Sequence, residues 1–332
     1  MRCYPHAHFI RCPRGGAQYL RNGRAVLRWY PHAHFIRCPP RGRSVPSERP
    51  GGTEMALRRR PGQIFAAYAI ALIFVFFAVF PIVWTLITSL KLERDIIKRT
   101  VTLIPNPVTL ENYYAIWTQS NLPTLMVNSA ITTLYTAAIC VGSGMLAAYA
   151  LSRLRFRGRH GVLLFLLVLR MFPVVLMVIP LFIIMRNAEL LDTRIGLALA
   201  YTGFLLPIFI WMMKGFFDAV PSELEEAARI DGCTRLGAMV RVVLPLVKGG
   251  LWACAVFISI SAWNEYLFAL MLTTSSGSRT WPVGLQLMVG EFQLPWGALA
   301  AGGMLSILPV LILFAFVQRS MVRGLAAGAV KG

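Results

Sequence analysis

Residues 226–245 read EAARIDGCTRLGAMVRVVLP, a polar stretch of twenty residues set between long apolar runs. Two short helical patterns lie inside it, separated by Gly232. Pro221 and Ser222 open the first. Ser222, with Glu225 three residues on, has the spacing of a capping box, in which each side chain satisfies an unpaired backbone donor at a helix start. The second begins near Thr234, with Leu236, Met239, Val240 and Val243 at helical spacing, and Pro245 is expected to stop it. Since the flanks are apolar enough to sit in lipid, the stretch reads as a helix, a glycine turn and a helix lying flat at a membrane surface.

Working outward, the 332 residues are 57% hydrophobic and 14% charged, with a mean hydropathy of +0.62. Ordinary soluble domains do not reach that balance. Apolar runs occupy 64–90, 125–151, 161–185, 195–217, 249–272 and 298–318. Each is close to the roughly 20 residues a helix needs to cross about 30 Å of hydrocarbon. The expected fold is an all-α polytopic membrane protein with six transmembrane helices. The first run is longer than a secretory core and no small-residue cleavage site follows it, so it reads as an uncleaved span.

Residues 1–54 are a different text. YPHAHFIRCP occurs twice, at 4–13 and 30–39, and no apolar periodicity could build a core. His6, His8 and Cys12, repeated as His32, His34 and Cys38, offer metal ligands at close spacing. The plainer reading, and the one preferred, is a disordered, non-native leader with the native start at Met55, because Met55 and three arginines directly precede the first apolar run. Residues 55–332 then form the membrane domain.

Orientation follows from lysine and arginine. With the amino end cytoplasmic, the inner segments carry fifteen of them and the outer segments seven. The positive-inside rule places both termini, and the polar loop at 218–248, in the cytoplasm. From residue 55 onward there are 23 basic and 12 acidic residues, a balance of +11 that topology largely explains, so nucleic acid is not an expected partner. His160 beside the Arg153, Arg155, Arg157 and Arg159 cluster faces lipid headgroups on this reading.

The loop resembles the EAA loop of ABC importer permeases. Glu226-Ala227-Ala228, three residues, Gly232, nine residues and Val242-Val243-Leu244-Pro245 match it, with valine where the family often has isoleucine. Further stretches resemble the carbohydrate-uptake branch typified by the maltose permease: Asn128-Ser129, Arg170-Met171-Phe172-Pro173 with Pro180-Leu181-Phe182, Trp263-Asn264-Glu265, and the ending from Gly324 to Gly332, where Ala326 stands in place of the usual threonine. The resemblance implies a type I importer fold in the inner membrane, a second and homologous permease subunit in a heterodimer, an ATPase subunit dimer and an extracellular solute-binding protein. It also implies that the loop docks on the ATPase. Glu226 and Asp231 would offer carboxylates to basic partners, Ala227 and Ala228 close approach, Gly232 a tight turn, and Leu236 and Met239 apolar contact, up to Pro245. No GxxxxGK[ST] occurs, so ATP and magnesium would be used by the partner ATPase, with no cofactor or metal held here and no catalysis by this chain.

Arg170, Asn264 and Glu265 fall within expected spans, where polar groups are costly unless paired or facing water. They are candidates for lining the solute pathway, or for a structural pair between Arg170 and Glu265. Gly144 and Ala148 read as a helix-packing surface, and Trp281 and Trp296 as an outer aromatic belt. The implied cargo is a sugar or oligosaccharide, with glycerol phosphate or a polyol as the alternative. A self-contained secondary transporter would show inverted repeats and more intramembrane carboxylates. A membrane enzyme would show a nucleophile and base, or a metal cluster.

Overall fold

The computed structural model describes residues 61–98, 102–290 and 294–329. The expected leader at 1–54, the start at Met55 and the extreme carboxyl end lie outside them. The described residues form helices and connections with no strand among them. In order, these are α1 (Pro61–Ser89), α2 (Glu93–Ile96), α3 (Glu111–Gln119), α4 (Leu122–Arg153), α5 (Arg159–Met171), α6 (Val174–Asn187), α7 (Arg194–Asp218), α8 (Ser222–Ile230), α9 (Arg235–Ala238), a π turn (Met239–Val243), α10 (Leu244–Trp263), α11 (Leu267–Leu272), α12 (Trp281–Leu287) and α13 (Trp296–Ala329).

Five helical stretches are long and apolar enough to cross a membrane: α1, α4, α7, the continuous run Arg235–Trp263, and α13. The third expected span, 161–185, is a broken pair. α5 and α6 meet at an angle of 101°, and at about 20 Å each neither crosses alone. Pro173 is the cause: a residue before proline is pushed out of the helical region, and Phe172 is extended at φ −67°, ψ 133°.

The fifth span also departs from expectation. It begins at Arg235 inside the polar loop and ends at Trp263, so Asn264 and Glu265 lie in a break before the short α11 rather than within a span. Pro245 does not stop the helix. The π turn ahead of it inserts an extra residue, with Leu244 N–H donating to the Met239 carbonyl, and the helix continues through the proline.

The core is built on α4 and α7, whose pairing is the most extensive in the chain, with α10 packed against both and against α13. Gly144 and Ala148 do line that contact. A Cβ at Gly144 would come within 2.5 Å of the Phe209 ring of α7, and Ala148 is fully buried. Backbones can approach this closely only where side chains are small. The main cluster joins Tyr149, Phe209, Met213 and Phe217 to Met239, Val243 and Ile258. A second cluster holds Ile116, Leu122, Leu125 and Trp281. Trp281 is therefore fully buried core rather than belt, while Trp296 is exposed. The apolar stretch of α1 has no buried residue.

Candidate functional site

The polar loop has the glycine turn, and the second helix the start near Thr234, that the sequence led one to expect. Gly232 turns the chain at φ 90°, a conformation that glycine adopts without strain. Thr234 then caps the next helix, its hydroxyl accepting from Gly237 N–H at 3.1 Å. The capping box at Ser222 does not form. Pro221 is the N-cap residue, with no side-chain cap bond, because Glu225 is turned inward and used elsewhere.

Glu225 is buried to 7% exposure. Tyr149 O–H of α4 donates to its Oε1, and Arg153 Nε of α4 lies 3.2 Å from Oε2, off hydrogen-bond alignment. Arg153 Nη2 also donates to the carbonyls of Phe217 at 3.0 Å and Val220 at 2.7 Å, at and just beyond the end of α7, where the Phe217 carbonyl also accepts from Val220 N–H at 3.1 Å. Tyr149 packs edge-on to Phe217 with ring centroids 5.7 Å apart, and its hydroxyl lies 3.3 Å from the Arg235 carbonyl. Ser152 O–H donates to Asp218 Oδ1 at 2.6 Å. One face of the last turn of α4 thus meets the end of α7, α8 and the start of α9.

Two faces of the loop follow. Ala228 and Met239 point into the chain, so they are not available to a partner as the sequence reading supposed. Glu226, Ala227, Asp231, Gly232, Leu236 and Pro245 are exposed. Ile230 at 86% exposure and Val240 at 51% join them. The expected helical set divides between the two sides, Leu236 and Val240 exposed and Met239 and Val243 buried, because the π turn at Met239–Val243 breaks the regular period. Ile230 was not among the expected residues; it follows Ala227 at i+3, which was the available signal.

A second polar constellation sits at the other end of α4. Asn128 Nδ2 donates to the carbonyls of Ser276 and Arg279, each at 2.9 Å, and Trp281 N–H donates to Ser129 Oγ at 2.7 Å. Asp192 Oδ1 accepts from Thr274 N–H at 2.8 Å, Ser275 N–H at 2.9 Å and the Ser278 hydroxyl. Desolvation works against the Asp192 anion, but those donors outweigh it and hold its pKa below the usual carboxylate range. From Asn128 to Tyr149 is 21 residues along one helix, or about 30 Å.

Arg170 and Glu265 do not pair. The Arg170 guanidinium sits over the Phe204 ring at 4.7 Å, and its Nη1 is buried without a partner among the described residues. The Glu265 carboxylate accepts from Phe268 N–H at 2.9 Å and Ala269 N–H at 3.2 Å, capping α11. Phe204 and Phe268 stack edge to face at 6.0 Å, so two rings connect the charged groups in place of an ion pair. Asn264 is exposed, its amide donating to the Ile260 carbonyl at 2.8 Å.

Residues 140–326 match the family described as binding-protein-dependent transport system inner membrane components. The chain belongs to that family. The permease is 40% identical over 253 residues to a sulfoquinovosyl glycerol transport system permease protein of Agrobacterium fabrum, covering 76% of this chain and 89% of that one. It is 38% identical over 254 residues to a diacetylchitobiose uptake system permease protein of Streptomyces coelicolor, covering 76% and 92%. A solved bacterial ABC transporter involved in import of the acidic polysaccharide alginate superposes with a TM-score of 0.68 at 25% identity, covering 78% of the permease and 97% of the matched chain. The architecture is that of a type I ABC importer permease. The family match takes in α8, α9, the π turn and the node on Tyr149 and Arg153.

Proposed function

We propose that this permease forms half of the pathway of a saccharide importer and that α8 is the surface on which a separate ATPase subunit docks. The observation that carries the reading is the exposed face of α8 and its turn. There Ala227 and Ile230 stand beside the carboxylates of Glu226 and Asp231, on a helix whose opposite side is tied to α4 through Glu225 and packs on α9 and the π turn. An apolar strip rimmed by acid suits a cleft with an apolar floor and basic edges.

The rest of the assembly follows from the family. A second permease subunit completes the pathway, giving a heterodimer. A dimer of ATPase subunits uses ATP and magnesium, and a solute-binding protein delivers cargo from outside the inner membrane. The lysine and arginine distribution favours a cytoplasmic docking loop and cytoplasmic termini. The spacing of about 30 Å between the two polar ends of α4 supports a rod that crosses the hydrocarbon once. Sugar-uptake names among the relatives support saccharide cargo. Glycerol phosphates and polyols are the competing solutes.

Two measurements test this. The ATPase and a second permease are expected to co-purify with the tagged chain. Uptake into cells is then compared across maltodextrins, trehalose, glycerol phosphates and polyols, with a saccharide expected to compete best. Uptake that persists after disabling ATP hydrolysis by the co-purified subunit would overturn the proposal.

A further inference from the structure

The side of α8 that faces inward is as informative as the side that faces out. Of its nine residues only Glu225 and Ala228 are buried, so Glu225 is its single buried polar anchor. The carboxylate is divided between two α4 residues: one oxygen takes the Tyr149 hydroxyl and the other faces Arg153 at 3.2 Å. Arg153 keeps its bonds to the Phe217 and Val220 carbonyls whether or not Glu225 is present. α8 also packs on α9 and the π turn, so loss of the carboxylate removes the hydroxyl bond and ion pair that tie it to α4 while leaving the seam between α4 and α7 intact.

We infer that Glu225, gripped by Tyr149 and Arg153, is the linkage through which displacement of α8 is passed to α4. The inference rests on the reading that α8 docks on the ATPase. A helix held only by its two flanking turns could tilt under a partner's push without moving anything else. With a buried ion pair and a hydroxyl bond to α4, the push is shared with a 32-residue helix that lies against both α7 and α10. A two-state partner can bias a distant element only through contacts that move with both. Glu225 is thus a positioning residue, distinct from the exposed Glu226.

The test uses the assembled complex in lipid nanodiscs. A nitroxide on Leu134→Cys, an exposed position on α4, reports on that helix. Cys3, Cys12, Cys38 and Cys233 are replaced by serine, and Cys140 and Cys254 are buried. ATP, magnesium and vanadate are added to trap the ATPase, so no transported solute is needed. With Glu225 intact the label's spectrum is expected to change on trapping. With Glu225→Ala, the ATPase still co-purifies and traps, but that change is lost. Glu225→Gln, which keeps an acceptor for Tyr149, is expected to fall between.

Should Glu225→Ala not fold, Tyr149→Phe removes the hydroxyl, keeps the ring on Phe217 and leaves Arg153 facing the carboxylate, so a partial fall in the response is expected. A full-sized response in the folded variant overturns the linkage while leaving the docking reading standing. Absence of the ATPase from the unaltered complex overturns both.

Discussion

Ile230→Asp and Met239→Ala form a pair whose effects fall on different properties of the same loop. Ile230 is 86% exposed and Met239 2%. If Ile230 is covered on docking, its burial contributes about 1.5–3 kcal/mol. Replacement by aspartate removes that term, which corresponds to roughly 10- to 150-fold weaker ATPase binding at about 1.4 kcal/mol per tenfold. The isolated permease is expected to unfold at an unchanged temperature, since the side chain touches little of its own chain. Met239 contacts the main core cluster, and truncation of such a side chain costs about 2–5 kcal/mol of fold stability. Its folded fraction is expected to bind the ATPase normally. The assay is a titration of purified ATPase against immobilised permease in detergent, with thermal unfolding measured in the same detergent. Full affinity in Ile230→Asp, or lost affinity in Met239→Ala without a lower unfolding temperature, would refute the assignment of faces.

Gly144→Ala places a methyl against the fully buried Phe209 ring. Overpacking of about 1–3 kcal/mol is offset by about 1 kcal/mol of helix propensity, for a net loss of about 0–2 kcal/mol read as a lower unfolding temperature. At Gly142, where a Cβ meets nothing within 4 Å, the same change is expected to be neutral or stabilising. Asp192→Asn is expected to speed hydrogen exchange of the Thr274 and Ser275 amides at pH 7. Because the folded pKa of Asp192 is lowered, its contribution is complete above the ordinary value of about 4 and is lost only as pH falls through the lower folded value, so the unaltered loop keeps its protection from pH 7 down to about 4. Exchanging charges in Arg170→Glu with Glu265→Arg is expected not to restore uptake, since it breaks the cap on α11 and creates no pair that the native chain has. Recovery of uptake in the double variant would contradict that geometry.

What could be read from the residues was whatever depends on short range. Hydropathy located the long helices, Gly232 marked the turn and Thr234 the start of the helix after it. The bend at Phe172 has a signal in Pro173, which disfavours a helical residue before it, but Pro81, Pro180, Pro207 and Pro309 lie inside helices, and hydropathy joins the two sides into one run. The π turn was not legible, since proline after a helical pattern ordinarily ends it. Glu225 was the costliest misreading. Its local spacing to Ser222 suggested a cap, whereas its partner Tyr149 lies 76 residues earlier. The only trace of that partner surface is Tyr149, Ser152 and Arg153 at i, i+3 and i+4 on one face of α4. Which side of α8 faces inward depends on the angle set at Gly232, and no periodicity fixes that angle.

The first helix carries a consequence for how the chain can be rebuilt. Among the described residues α1 is fastened at its Ser89 end, where Ser89 Oγ meets the Tyr113 hydroxyl at 2.8 Å and Asn112 Nδ2 donates to the Ser89 carbonyl at 2.9 Å. Its apolar length ahead of that serine has no fully buried residue among those described, with only a few side chains, mostly near its Ser89 end, partly covered. α1 is therefore interchangeable as far as this polypeptide's own folding is concerned. An unrelated apolar helix grafted ahead of Ser89 leaves the α4, α7 and α10 core undisturbed, and any defect such a chimaera shows reports on the neighbours that α1 meets in the bilayer.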